Sequence, residues 1–287
     1  EANPLAAGAA MGAMAEAAPE IATGAAAAMA EANPDAAGFA AQSMADAVPE
    51  LAAEAATAMM EVAPDSAGAI AGGVARGDAD IAAQVATDMV NANPELMGDI
   101  AGGVAQMAPG AAGDVAGAMV EANPDGAADM AATIAETVPG AAGAVAGAIA
   151  EADPALAADA ASAMMEANPA AAAQAAAGMA NAAPEVAGDV AGAMMEVAMA
   201  PDFAAEFAEN AAAANPDLSV EDLEALAGNF AGNAVGAIAQ GMATGDPDIA
   251  ADMAGVMMDA AMDNPDMAGD FVGEIAGGMA AGSPQLA

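Results

Sequence analysis

The sequence predicts an all-α protein, an α-solenoid of short antiparallel helices, each about 11–13 residues long, which is near the usual length of a helix. The predicted repeat is 15 residues, with a proline at the first helical position. Three observations support this prediction: regularly spaced prolines, helix-capping residues before them, and a composition rich in Ala and Met. The same composition argues against the alternatives of silk-like strands and polyproline II.

Prolines lie 15 residues apart along the first two thirds of the chain, with Ala79 in the one vacant place. They occupy positions 4, 19, 34, 49, 64, 94, 109, 124, 139, 154, 169 and 184. Beyond these, the spacing loosens to Pro201, Pro216, Pro247, Pro265 and Pro284. The period matches neither tetratricopeptide, ankyrin, HEAT nor armadillo repeats. We therefore expect regular repeats over 1–198 and irregular helical repeats, a variant C-terminal segment of the same solenoid, over 199–287.

Each proline is expected to begin a helix, because its missing N–H has no partner in the first turn. The residue before it is often one that caps helices. These residues are Asn3, Asn33, Asn93, Asn123, Asp153, Asn168, Asn215, Asp246, Asn264 and Ser283. A helix of this length is marginal alone, so neighbouring helices must stabilise it. Connections of two or three residues would make successive helices antiparallel and stack them as hairpins.

One segment departs from this pattern. Leu218–Phe230 has a dense set of leucines and a capping-box-like Ser219 with Asp222, which predicts a longer helix in the C-terminal segment.

Three faces are expected on each helix when the proline is counted as position 0. Large apolar residues favour positions 2, 6, 10, 11 and 13, as Ile100 and Val104 illustrate, and predict a buried stripe. Acids favour positions 1, 5 and 12, which predicts a solvent-facing stripe about a third of a turn away. Positions 4 and 8 repeatedly carry a Gly-x-x-x-Gly pair, which predicts a face where backbones approach closely. The pairs are Gly8 and Gly12, Gly68 and Gly72, Gly98 and Gly102, Gly113 and Gly117, Gly143 and Gly147, and Gly188 and Gly192.

Charge and composition exclude several kinds of partner. The chain has 42 acidic residues against a single Arg76 and no histidine, giving a formal charge of −41. This argues against nucleic acid and anionic membranes as partners, while cations and basic proteins remain open. No run is apolar enough to predict a membrane span. The sequence begins at Glu1 without an initiator Met, and we expect an extracellular or periplasmic protein.

The acidic stripe is the first candidate for a binding site. Stacked helices would align its carboxylates in a row, and hard cations such as Ca²⁺ take several oxygens at once. A solvated face that maintains solubility is the simpler interpretation, and no EF-hand loop is present. The carboxylates of this speculative cation row are Asp99, Asp114, Asp129, Asp159 and Asp189.

Methionines at positions 10 and 11 form a second ladder. Thioethers bind Cu(I), but without His or Cys nearby these side chains are expected to fill the core. They are Met14, Met29, Met44, Met59, Met60, Met89, Met119, Met164, Met165, Met179, Met194 and Met195.

Catalysis is not expected, because the chain lacks His, Cys, Lys and Tyr and offers only carboxylates and a few hydroxyls. We therefore expect no catalytic residues and no resident cofactor. The sequence favours a structural or scaffolding repeat protein, an acidic rod or arc that self-associates into a filament or joins a larger complex. The alternative is a module that binds divalent cations or a basic protein through its carboxylate rows.

Overall fold

A computed structural model describes residues 3–200, 203, 205, 220–247, 254–259 and 268–283, and all regular secondary structure in these residues is helical. The chain forms two compact units, Glu1–Ala141 and Ala142–Ala287. This division falls inside the regular repeats and not at the change of proline spacing near residue 198. The helices of the first unit are α1 Pro4–Ala17, α2 Pro19–Ala32, α3 Ala37–Ala47, α4 Pro49–Val62, α5 Ala67–Gly77, α6 Ala82–Ala92, α7 Met97–Met107, α8 Ala112–Ala122 and α9 Ala127–Thr137.

The second unit continues the repeat and then departs from it. Its described helices are α10 Ala142–Ala152, α11 Ala157–Ala167, α12 Ala172–Ala182, α13 Ala187–Met199, α14 Val220–Gly245 and α15 Ala268–Gly282. The longer helix expected over Leu218–Phe230 is present as α14, which runs on to Gly245 because no proline interrupts it before Pro247. Its predicted cap, Ser219, lies outside the described residues.

Each regular repeat begins at its proline, as predicted. In most repeats the proline opens a single 3-10 turn, such as Pro34–Ala36 or Pro124–Gly126, and the α-helix follows directly. Where a proline opens the regular repeat, a single residue joins one helix to the next, so the expected connection of two or three residues is wrong there, whereas residues 78–81 join α5 to α6. The single joining residue is extended, with φ −143° and ψ 80° at Asn123, because the following proline ring excludes the α conformation.

The joining residue also ends the preceding helix. The N–H of Asn33 donates to the carbonyl of Met29 at 2.8 Å, and the same bond recurs at the other joints. Among the described residues no φ is positive, so the glycines are not needed for turns. Their role must be sought in packing.

Side-chain capping is only partly as expected. The carboxylate or amide oxygen of Asn3, Asp153 and Asn168 accepts from the N–H two residues on, at 3.0–3.1 Å. Asn33 and Asn123 make no such bond. The proline and the extended joint therefore begin a helix without help from the side chain.

Helices two places apart in the chain are neighbours, which arranges each unit in layers. In the first unit α1, α3, α5, α7 and α9 form one layer, and α2, α4, α6 and α8 form the other. In the second unit α10 packs on α12 and α11 on α13, while α14 packs on α12 and α15. Contacts within a layer keep a constant spacing in sequence, which shows that these helices are parallel. The intervening helix must then run back, so successive helices are antiparallel as predicted.

The core comes from positions 3, 6, 7, 10 and 11 of the repeat. In α7 these are Met97, Ile100, Ala101, Val104 and Ala105, and in other helices several are alanine. They span an arc of roughly 140°, nearly opposite the acids. The predicted stripe was right at positions 6, 10 and 11. Positions 2 and 13 lie at its edges, and their burial varies from repeat to repeat: Ala36 at position 2 is fully buried, whereas Val62 at position 13 is 43% exposed.

Candidate functional site

The closest contacts between neighbouring helices are made by glycine. A Cβ added to Gly72 in α5 would overlap the carbonyl oxygen of Gly103 in α7, and one added to Gly103 would overlap that of Gly68. Backbone therefore lies directly on backbone, as the Gly-x-x-x-Gly pairs predicted. This contact surface is the most distinctive feature of the described structure.

The contact joins two different faces. Positions 4 and 8 of one helix, here called the glycine face, lie against positions 5, 9 and 13 of the helix two places on, here called the receiving face. Gly8 and Gly12 of α1 meet Phe39 and Ser43 of α3, where added Cβ atoms would lie 2.7 Å and 2.9 Å from the carbonyl oxygens. Gly68 meets Asp99 in the same way. The glycine face always belongs to the earlier helix, so the contact has a direction along the chain.

Most predicted glycine pairs occupy this face. Gly98 and Gly102 face Thr133 and Thr137, and Gly143 faces Gln174. The pair Gly188 and Gly192 is an exception, because added Cβ atoms would be only in ordinary contact with Val256, at 4.0 and 3.9 Å. Gly113 and Gly117 are half-buried on α8.

The receiving face is a contact surface that the sequence did not lead us to expect. It carries its own glycines, Gly73 and Gly77 in α5, at which an added Cβ would meet the carbonyl oxygens of Gly38 and Gln42. A signal was present in the doubled glycines Gly72–Gly73 and Gly102–Gly103, since a second glycine one step on points to a second close approach.

Helix α1 leaves its receiving face uncovered. Ala13 and Ala17, at positions 9 and 13, are exposed, and so is Ala10 at position 6. Position 6 is fully buried in the next helices of the layer, at Ala40 and Ile70. No described helix therefore covers Ala10 as the equivalent residues of α3 and α5 are covered.

Two large apolar side chains are exposed on α1 and α2. Leu5 of α1 is 63% exposed and Ile21 of α2 is 56% exposed, the highest values for large apolar residues in the described part of the chain. Ala10, Ala13 and Ala17 of the open face are uncharged, but exposed acids lie close to them in sequence, at Glu16 of α1 and Glu20 of α2.

The acidic stripe faces solvent, as predicted. Asp99, Asp114, Asp129, Asp159 and Asp189 are all exposed. They do not form one row: Asp99 and Asp129 lie on neighbouring helices of one layer, and Asp114 lies in the other layer. Asp159 and Asp189 lie on the neighbouring α11 and α13 of the second unit. Within the described ranges no three acidic side chains converge as metal ligands.

The methionine ladder is core, with two exceptions at the start. Met44, Met89, Met119 and Met164 are completely buried, and the remaining members beyond α2 are at most 2% exposed. Met14 and Met29 are only half-buried, because their helices lack neighbours on one side.

Two open grooves run over the first unit. One, about 550 Å³, is lined by Thr23 of α2, Glu54, Thr57 and Glu61 of α4, and Asp88 of α6. The Thr57 hydroxyl donates to the carbonyl of Ala53 at 3.0 Å. The groove therefore offers carboxylates to a cation but no activated nucleophile. The other groove lies over the glycine contact of α5 and α7 and includes Asp99 and Gln106.

Comparison with protein-family models, curated proteins and solved structures finds no significant match. Among the described helices, none combines the length and the hydrophobicity that crossing a membrane requires. The function must therefore be argued from the surfaces themselves.

Proposed function

We propose that this chain is a structural repeat protein whose copies associate into a larger assembly. The observation that carries the proposal is an exposed apolar surface on α1 and α2, where Leu5 is 63% exposed and Ile21 is 56% exposed. Large apolar side chains exposed in this way are typical of surfaces that contact another protein. The dense exposed carboxylates keep such an assembly soluble and repel unintended contacts.

Sedimentation velocity on the 287-residue chain tests this proposal. The net charge of −41 opposes association, and salt screens it, so the measurement is made over a wide protein concentration range in 0.5 M NaCl. We expect the weight-average sedimentation coefficient to rise with concentration. A monomer at every concentration and every salt level would rule out the assembly role.

A second candidate function is recognition of a basic protein or of divalent cations through the exposed acids. It is favoured by the position of the acids, nearly opposite the core, and by the carboxylate-lined groove that contains Glu54, Glu61 and Asp88. Calorimetric titrations with Ca²⁺, with Mg²⁺ and with poly-lysine test it. Saturable heat that survives 0.15 M NaCl supports binding, whereas no heat and no change in melting temperature rule it out.

A further inference from the structure

Met107 is an unusual residue for its place in the repeat. It lies at position 13 of α7, on the receiving face. Its sulfur lies over Gly72 of α5, 2.8 Å from a Cβ added to that glycine. A long thioether side chain therefore covers a place where the backbones of α5 and α7 are in direct contact. The equivalent residues of the same layer are all smaller: Ala17, Ala47, Gly77 and Thr137.

The Met107 side chain is also open to solvent. It is half-buried and lines the groove of about 390 Å³ over α5, α7 and α9, together with Gln106 and Thr137. The sulfur of Met97 lies against a glycine too, Gly126, but Met97 is only 2% exposed. Met107 thus combines a sulfur in contact with glycine and access for small solutes from the groove.

We infer that Met107 is a modification site, at which hydrogen peroxide oxidises the thioether to a sulfoxide and thereby weakens the contact between α5 and α7. A lone pair of the sulfur attacks one peroxide oxygen, so that an S–O bond forms as the O–O bond breaks. The proton on the transferred oxygen passes through water to the departing hydroxide, which leaves as water. Sulfur loses two electrons and peroxide gains them.

Oxidation changes the surroundings that the side chain favours. The thioether is apolar and flexible, whereas the sulfoxide is polar and chiral. The oxygen enters from the groove, because Gly72 fills the other side of the sulfur. The sulfoxide is better solvated in the groove than against Gly72, so its withdrawal uncovers the contact between Gly72 and Gly103. The pair α5 and α7 is then less tightly packed.

Two other methionines of the first unit provide the comparison. Met29 of α2 is half-buried as Met107 is, but it lies at position 10, on neither the glycine face nor the receiving face. Met89 of α6 is completely buried. Peroxide should reach Met29 directly, with little effect on the packing of α5 and α7, and should reach Met89 only when the unit opens.

Oxidation resolved by residue tests whether Met107 is accessible. The 287-residue chain is treated with dilute hydrogen peroxide for increasing times, the reaction is stopped with excess free methionine, and the chain is cleaved after Asp and Glu. Mass spectrometry then follows three peptides with one methionine each: 100–114 with Met107, 21–31 with Met29 and 89–95 with Met89. We expect sulfoxide in 100–114 and in 21–31 well before it appears in 89–95.

Melting followed by circular dichroism, at low protein concentration, tests the consequence for packing. Leucine has a similar volume to methionine and resists peroxide, so Met107→Leu and the control Met29→Leu are compared with the wild type before and after brief oxidation. We expect oxidation to lower the melting temperature of the wild type and of Met29→Leu by about 2–4 °C. Met107→Leu should lose less than half as much.

A polar, uncharged side chain of similar length gives a second test that needs no peroxide. Met107→Gln should lower the melting temperature as oxidation does, and Met29→Gln should lower it less. The inference is overturned if peptide 100–114 is oxidised no faster than 89–95, or if oxidised Met107→Leu loses as much stability as the oxidised wild type. It is also overturned if Met107→Gln is no less stable than Met29→Gln. None of these outcomes depends on the proposed assembly.

Discussion

At the scale of single residues, glycine in this protein provides close approach and not backbone freedom, because no described residue has a positive φ. In an isolated helix, replacing glycine by alanine stabilises by about 0.5–1 kcal/mol. At Gly103 the added Cβ would overlap the carbonyl oxygen of Gly68, so α5 and α7 would have to separate. We expect Gly103→Ala to reduce the free energy of unfolding by about 1–2 kcal/mol, since the cost of overpacking exceeds the gain in helix propensity.

Gly24→Ala is the matched substitution, because Gly24 lies within α2 of the same unit and has no described atom within 4 Å of an added Cβ. We expect it to stabilise by about 0.5–1 kcal/mol. Urea unfolding followed by circular dichroism measures both variants. Equal effects of the two substitutions would show that helix propensity, and not contact with Gly68, determines stability at Gly103.

At the scale of the helix, the repeat without a proline shows what the proline contributes. Ala79 occupies the vacant place, and residues 79–81 form a bend and a turn where most repeats have a 3-10 turn. The N–H of Ala82 donates to the carbonyl of Ala79 at 3.3 Å. In the proline-led repeats, a further bond joins the residue at position 2 to the joining residue, as from the N–H of Ala36 to the carbonyl of Asn33 at 2.9 Å. The chain still breaks here, helped by Asp78, whose carboxylate accepts from the N–H of Asp80 at 3.0 Å.

Restoring the proline should therefore stabilise the first unit. Ala79→Pro reduces the number of conformations open to the unfolded chain, and no hydrogen bond is seen from the N–H that it removes. We therefore expect a gain of about 0.5–1 kcal/mol in the free energy of unfolding. Asp80→Pro is the control, because it removes the backbone N–H that donates to the Asp78 carboxylate. This substitution should destabilise the folded chain. Thermal unfolding checks both. A loss of stability in Ala79→Pro would mean that the open turn, and not the proline turn, is preferred at this joint.

Helix starts and the direction of successive helices could be predicted because local sequence determines them. A proline restricts its own backbone conformation and that of the residue before it. The core was predicted less well. Alanine at positions 3 and 7 is buried. Because the chain is so rich in alanine, the residue type alone does not distinguish these positions from exposed ones such as Ala10 or Ala13. The receiving face was missed because it depends on which helices are neighbours. That Asp99, Asp114 and Asp129 alternate between layers follows from the same information, which a single repeat does not contain.

At the scale of the whole chain, charge opposes both folding and association. A formal charge of −41 arises from 42 acidic residues against one Arg76, so few attractive pairs offset the repulsion. Folding concentrates these charges relative to the unfolded chain, which makes the folded state more sensitive to screening. The screening length falls from about 30 Å at 0.01 M salt to about 10 Å at 0.1 M. Stability should therefore increase with ionic strength over this range.

The prediction is best measured at low protein concentration, so that association does not itself raise the melting temperature. We expect the melting temperature to rise by several degrees between 0.01 M and 0.5 M NaCl, since one kcal/mol shifts it by about 2–4 °C in a protein of this size. Tetramethylammonium chloride at equal ionic strength should give the same rise, because screening depends on charge and not on the kind of cation. A larger rise in NaCl than in tetramethylammonium chloride would indicate a bound cation among the carboxylates. A melting temperature that changes with neither salt would show that repulsion between the exposed acids is too weak to affect stability.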